Sequence, residues 1–569
     1  MFEPTDFGKQ IFEERYAFND GKETWEEACS RVAKFVAVAE KNGLVKPYYG
    51  AFYEELVSNR FCPGGRIWYG SARPKPSLLN CFVLSSPADS REGWGQLVYD
   101  GIVVLGNGGG VGCNMSSIRP RGSEIRGHRG TATGAVSLMQ IMNSVGEVIQ
   151  AGGSRRTALL FCLNHDHPDI EEFLDVKLNK KQLTNANISV AFTNESLDSF
   201  LKKVDKDELH DLVWGGEVKK QISAREMWKK IIDNSVENGE PGILNTWLAN
   251  RENNTYFCAS LNSSNPCGEL FLSGEEACCL GSLVLPRFVT SEGKLDRRQL
   301  ARTIHLAVRF LDNVLDVNTY PLNKIEETTK KFRRIGLGVM GLHDMLIMLG
   351  KKYSSEEALE FVNWLFSFIK HKSYEASLFL AAEKGQFPAM DRDKFIESGF
   401  CHRLKESIRE NILRTGMRNC TTMTCPPTGT TSIISGVTSG IEPMYSYAYR
   451  RRWRQDGQTA ERIIEHPLFT KLKNTNKVEL FESTLEIPIE RHLAMQATIQ
   501  KHVDSSISKT LCVPHTCTAE EVEPIIRKYV GKIKGLTLYR DGSRGSSPIE
   551  SLSLEEAMKL ECRSGSCEL

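Results

Sequence analysis

The chain has 569 residues, 40% hydrophobic and 25% charged, with Lys plus Arg at 72 against Asp plus Glu at 71. That composition suits a globular protein with a large core, and a net charge near zero argues against a general binder of polyanions. No run approaches the roughly 18 apolar residues of a membrane span, and the start Glu3-Pro4-Thr5-Asp6 is unlike an export signal, so a cytoplasmic protein with no nucleic-acid or membrane partner is expected.

In chain order, residues 1–60 read as a short helical N-terminal segment around Trp25, Val32, Phe35 and Val36. Gly108-Gly109-Gly110-Val111-Gly112 follows the apolar stretch Ile102 to Leu105 and reads as a tight turn or an anion loop. Leu300, Ile304, Val308, Leu311 and Leu315 recur at helical spacing, which predicts an amphipathic helix from about Arg297 to Asn318. Gly336-Leu337-Gly338-Val339-Met340-Gly341 matches the dinucleotide fingerprint, the basis for an alternative reading as a dehydrogenase. The preceding Thr329-Lys330-Lys331-Phe332-Arg333-Arg334 makes a poor buried strand, however, so close helix packing is the expected reason for these glycines. Ser354 with Glu357 forms a capping-box pattern for a long helix that Gly385 ends, and Thr518 with Glu521 repeats it for a helix reaching about Tyr529. The loop Pro427-Thr428-Gly429-Thr430-Thr431-Ser432, rich in hydroxyls and backbone amides, is the better anion candidate, and Leu536 to Tyr539 reads as a strand. Helices alternating with short apolar strands predict an α/β architecture. After Asp541, Gly, Ser and Pro read as a linker to a cysteine tail.

Sixteen cysteines in such a chain are expected to be reduced thiols. No Cys-x-x-Cys pair occurs, so no structural metal site is expected. Cys562 and Cys567 sit in a small polar tail suited to disulfide exchange. Cys267 is bracketed two residues away by Asn265 and Glu269; on an extended loop the three side chains would share one side, where a small ligand meets thiol, amide and a carboxylate able to act as general base. No histidine lies near it in sequence, and His165 or His167 would reach it only through the fold.

Asn265-Pro266-Cys267-Gly268-Glu269 followed by Ala277-Cys278-Cys279-Leu280-Gly281-Ser282 resembles the active-site finger loop of ribonucleotide reductases. The resemblance continues through Asn80-Cys81-Phe82-Val83-Leu84, Arg119-Pro120-Arg121-Gly122-Ser123, Gly152-Gly153-Ser154-Arg155-Arg156, His167-Pro168-Asp169-Ile170 and Pro427-Thr428-Gly429-Thr430, in order from about Phe61 to Arg544. It implies a ten-stranded α/β barrel with a central finger loop over residues 61–544, a helical segment over 1–60 too short for an ATP-cone, and a linker with a redox-active tail over 545–569.

The resemblance further implies that Cys267 becomes the thiyl radical, that Glu269 takes the 3′ hydroxyl proton, that Asn265 binds substrate, and that Cys81 and Cys278 supply the reducing equivalents. The residues alone do not choose between Cys278 and Cys279; the family pattern selects Cys278 and puts Cys279 where Asn is usual. Cys562 and Cys567 would re-reduce the pair and be recharged by thioredoxin or glutaredoxin. Substrate di- or triphosphate would rest on Pro427 to Ser432, with Asn80 and Gly110 at the ribose; deoxynucleoside triphosphate effectors would bind near Asp89, Ser90 and Arg119, with Arg155 and Arg156 relaying the signal, in a chain that can pair as a homodimer. The single tyrosine in Leu538-Tyr539-Arg540-Asp541 resembles the end of the class II, adenosylcobalamin-dependent branch; the alternative is a class I chain with no cofactor of its own, served by a metal-containing partner subunit.

Overall fold

The computed structural model describes residues 2–41, 43–125, 130–149, 157–179, 182–455, 458–543 and 549–558. Arg155, Arg156, Cys562 and Cys567 lie outside them. Among the described residues no helix is long and apolar enough to cross a membrane.

The strands in chain order are β1 (Phe61–Pro63), β2 (Cys81–Val83), β3 (Gly110–Asn114), β4 (Leu159–Asn164), β5 (Ala186–Ala191), an outlying hairpin β6 (Leu209–Trp214) and β7 (Glu217–Ser223), then β8 (Gly242–Leu244), β9 (Ser263–Ser264), β10 (Phe271–Leu272), β11 (Glu276–Val284) and β12 (Ile335–Met340). They are followed by β13 (Ala448–Gln455), β14 (Gln458–Glu465), β15 (Thr510–Val513), β16 (Gly535–Arg540) and β17 (Ile549–Leu552). β2, β3, β4, β5 and β8 run parallel as one half of a sheet. In the other half β11 runs parallel to β12, parallel bridges continue from Leu337 to Met423 and from Cys425 to Ile507, and β15 runs parallel to β16. Antiparallel seams join the halves at β2–β11 and β8–β16. The ring therefore closes into the expected ten-stranded α/β barrel.

Parallel strands covered on both faces read as unbroken apolar runs rather than alternating ones. β11 and β12 are buried along their whole length, and β4 is buried up to Asn164. Helices pack outside. Arg297–Val317 buries Leu300, Ile304, Val308, Leu311 and Leu315 as the spacing predicts. The Thr518–Glu521 capping box forms in full ahead of Ala519–Val530. The other box does not: Ser355, not Ser354, caps Glu356–Lys384, because Glu482 takes both the Ser354 N–H and its hydroxyl. The glycine fingerprint is likewise not a helix-packing motif. Gly336 and Gly338 lie in β12, where a Cβ would meet Thr424 Cγ2 at 2.6 Å and Pro426 Cδ at 2.4 Å, so they let the neighbouring barrel segment close in.

At the N-terminus three helices, Asp6–Arg15, Trp25–Ala37 and Val45–Val57, bury Trp25, Val32 and Val36 against the barrel's outer layer. Within the C-terminal stretch, Ile549–Leu552 adds to β13 as an antiparallel strand and Leu552 is buried.

Candidate active site

β9 and β10 pair Ser264 with Phe271 and Ser263 with Leu272, making a short hairpin that rises through the barrel. Its tip is the turn Asn265 to Gly268, closed by Gly268 N–H donating to Asn265 O at 3.0 Å, with Pro266 at the favoured second position and Gly268 at φ +82°. Both barrel halves grip it. From one side Asn114 Nδ2 donates to Asn262 O at 3.1 Å and Asn187 Nδ2 to Pro266 O at 3.2 Å; from the other Thr424 Oγ1 and the Ser506 N–H donate to Glu269 O at 2.7 and 3.0 Å. Gly112 of β3 faces the hairpin so closely that a Cβ there would lie 1.8 Å from Ser264 O.

The tip is a turn rather than the expected extended loop: Cys267 and Glu269 line one cavity and Asn265 does not, yet Asn265 and Glu269 share a target. They converge on Cys81: Asn265 Nδ2 donates to Cys81 Sγ at 3.2 Å, and Cys81 Sγ lies 3.8 Å from Glu269 Oε1. Asn265 is itself held by the Leu270 N–H, which donates to Oδ1 at 3.0 Å. Cys267 is exposed at the tip, and it faces a cavity of about 280 Å³ together with Asn80, Cys81, Glu269 and the loop Pro427 to Thr431. Asn265, Gly110, Cys278 and Ser432 do not line that cavity; Gly110 packs instead against Pro266. Cys267 also faces a second cavity of about 120 Å³, lined among others by Ser508, Lys509, Leu536 and Thr537.

Cys278 stands directly opposite Cys81 across the antiparallel β2–β11 seam. Such a pair has Cα atoms about 4.5–5.5 Å apart, inside the range that a disulfide spans. Side chains alternate along a strand, so Cys278 points to the cluster of Cys81, Val83, Leu270, Leu272 and Leu280, whereas Cys279 points out into the main core. Burial pushes both thiols well above the ordinary cysteine range; for Cys278 the neighbouring Cys279 adds to the rise and Arg334 opposes it. That arginine is buried and donates from Nε to Glu276 Oε1 at 2.7 Å.

Sequence reasoning missed Arg334 with Glu276, and it missed Thr424 and Ser506, whose only local signal is their nearness to Pro427 and to β15. His165 and His167 do not approach Cys267: His165 Nδ1 lies 3.1 Å from His210 Nε2 with its ring stacked on Phe192, and His167 Nε2 lies 2.9 Å from Ile118 O. Asp89 and Arg119 form an ion pair at 2.7 Å, and Ser90 beside them caps the helix Arg91–Gly106.

A barrel gripping a cysteine-tipped hairpin, with two thiols facing each other at its seam, is an arrangement suited to the thiol chemistry of an oxidoreductase. The family model "Ribonucleotide reductase, barrel domain" matches residues 79–539, and "Ribonucleotide reductase, all-alpha domain" matches residues 2–76. The chain is 35% identical over 538 residues to a vitamin B12-dependent ribonucleoside-diphosphate reductase of Thermoplasma acidophilum, covering 90% of this chain and 67% of that protein. It is 32% identical over 579 residues to a protein of the same description from Mycobacterium tuberculosis, covering 95% and 80%. A ribonucleoside-diphosphate reductase large subunit of Caenorhabditis elegans is 27% identical over 79% of this chain and 62% of its own length. This chain belongs to the ribonucleotide reductase family, and its substrate is a ribonucleotide reduced to the deoxyribonucleotide.

Proposed function

We propose that this chain is a class II reductase of ribonucleoside diphosphates in which Cys267 is the radical-bearing thiol and Cys81 with Cys278 the reducing pair. The observation that carries this reading is the meeting of Cys267, Cys81 and Glu269 on one cavity, with Cys278 across the seam from Cys81. Cys267 as a thiyl removes the 3′ hydrogen atom while Glu269 takes the 3′ hydroxyl proton. The 2′ hydroxyl leaves as water with a proton from the Cys81–Cys278 pair, whose two electrons reduce the sugar as the disulfide forms. The 3′ hydrogen then returns from Cys267. Asn265, by donating to Cys81 Sγ, orients that thiol toward the sugar. The loop Pro427 to Thr431 cradles the diphosphate, and Asn80 borders the ribose. Cys562 and Cys567 restore the dithiol by exchange, recharged by thioredoxin or glutaredoxin.

Adenosylcobalamin, when bound, supplies the acceptor for the thiol hydrogen atom. At about 120 Å³ the second cavity is too small to enclose such a cofactor whole; Ser508, Lys509, Leu536 and Thr537, which line it with Cys267, would face a cofactor that reached Cys267 from that side. Deoxynucleoside triphosphates bind as effectors at Asp89, Ser90 and Arg119, with Arg155 and Arg156 relaying the signal. Exposed Tyr99 and Ile102 on one helix and Ile141 and Val148 on its neighbour offer apolar surface for a second copy of the chain.

The test incubates the purified chain with adenosylcobalamin, dithiothreitol and cytidine diphosphate or triphosphate. Deoxycytidine product from the chain alone is expected, and Cys267→Ala is expected to abolish it while circular dichroism stays unchanged. Product only after a metal-containing second protein is added would establish the class I alternative.

A further inference from the structure

We propose that Arg15, delivered to the cavity rim by the N-terminal helix, is the cation that reads the substrate's terminal phosphate. The inference rests on the substrate reading above and adds a residue to it.

A nucleoside diphosphate carries about three negative charges at neutral pH, and bare hydroxyls and amides do not neutralise them. Within the loop the Thr431 hydroxyl donates to Thr428 O at 2.8 Å, the Ser432 hydroxyl donates to Gly429 O at 2.7 Å, and Thr428 Oγ1 accepts from the Gly440 N–H at 3.0 Å. Those groups shape the loop. Thr430 differs, since its Oγ1 accepts from Arg15 Nη1 at 3.4 Å across 415 residues of sequence. The other arginine of the cavity, Arg66, is buried and donates from Nη2 to Asn107 O at 2.7 Å, holding the turn before β3. Glu14 at the same rim accepts from Gln10 Nε2 at 2.9 Å, along its own helix.

Two close approaches hold the helix Asp6–Arg15 in place. At Gly8 a Cβ would meet Ile433 O at 3.0 Å and Ile434 Cα at 3.1 Å, so the absent side chain lets this helix lie directly on the backbone that follows the phosphate loop. One residue beyond Arg15, the Tyr16 hydroxyl lies 2.5 Å from where a Cβ of Gly65 would be, so it fills the space beside that glycine. Glu14, Arg15 and Tyr16 all line the cavity that holds Cys267 and Glu269. The N-terminal helix is thus one wall of the site, and its last turn puts a guanidinium, able to fork onto two phosphate oxygens, beside the one loop threonine that it already touches.

The test is equilibrium binding of cytidine monophosphate and diphosphate to the full chain, with KM for the diphosphate measured in parallel. Arg15→Gln is expected to weaken diphosphate binding about 10- to 100-fold, the range of a lost charge-assisted contact, and to change monophosphate binding less than about threefold. Arg15→Lys is expected to recover part of the loss, and Gly8→Leu, which lifts the helix with Arg15 intact, to reproduce it. Unchanged diphosphate affinity in Arg15→Gln, or an equal loss for both nucleotides, would overturn the inference. If the wild type binds the diphosphate more tightly than the monophosphate yet makes no deoxy product, the reductase reading fails while the phosphate role stands; normal turnover with unaltered affinity in Arg15→Gln does the reverse.

Discussion

Replacing Gly112 by Ala tests whether the close seating of the hairpin, rather than the mere presence of its side chains, makes the site. A Cβ at 112 would lie 1.8 Å from Ser264 O, 2.8 Å from Ser264 C and 3.4 Å from Asn265 Cα, all backbone atoms that no rotamer change can move. Ordinary contact needs more than about 3 Å, so the hairpin or β3 must shift by about an ångström or more, and overpacking of that kind costs about 1–3 kcal/mol of stability. The hairpin carries Cys267 three residues beyond Ser264, and a misplacement of about 1 Å at a reacting group lowers turnover about 100-fold, equivalent to about 2.7 kcal/mol of barrier. On the proposed reading the nucleotide rests on the loop at Pro427 to Thr431, which lines the cavity and which this shift does not touch directly, so kcat is expected to fall far more than affinity. Steady-state kinetics, nucleotide titration and a thermal melt measure the three quantities. Wild-type kcat in a folded Gly112→Ala chain would refute the reasoning, because it would mean that the hairpin tolerates displacement. Gly268→Ala is the contrast: nothing lies within 4 Å of a Cβ there, so only the strain of φ +82° is added, about 1 kcal/mol.

Without added reductant the wild type is expected to make product while losing two titratable thiols per turnover, and Cys278→Ser to make none; a thiol count that does not fall would remove Cys81 and Cys278 from the redox role. Cys279→Ala, on the opposite strand face, is expected to keep turnover while losing about 1–2 kcal/mol of stability to the small cavity, read by urea unfolding. The pH dependence of stability has a defined sign: burial lowers His165 to about 3 and His343 to about 4, so each stays neutral in the fold while the unfolded chain takes up protons below about 6.5. Their stabilisation is therefore complete above that pH and is lost as pH falls through 6.5 toward 4, up to about 3 kcal/mol for each. Urea midpoints measured from pH 7 to 4.5 are expected to drop, and to drop less steeply in His343→Gln; equal slopes in the two proteins would contradict this.

Local chemistry was legible in the chain by itself. Apolar spacing at Leu300 through Leu315 marks its helix because a helix on a barrel exposes one face, and Thr518 with Glu521 marks a start because a first turn needs partners for its amides. The order of the short motifs around Cys81, Cys267 and Cys278 carries the family resemblance, and the family models match it over residues 2–76 and 79–539. Adjacency was not legible from the residues alone, and the choice of Cys278 over Cys279 came only through the family resemblance. That Cys278 rather than Cys279 faces Cys81 follows from the register of β11 on β2, and a slip of one residue would exchange them. That Asn265 and Glu269 converge on Cys81 follows from a turn at the hairpin tip, and that Gly336 and Gly338 serve a barrel strand follows from Thr424 and Pro426 lying against them. Arg15 reaches Thr430 only because a helix near residue 10 docks on one near residue 430. Contacts between segments hundreds of residues apart leave no periodic trace in sequence, because they depend on packing across the whole closed barrel rather than on the preferences of neighbouring residues.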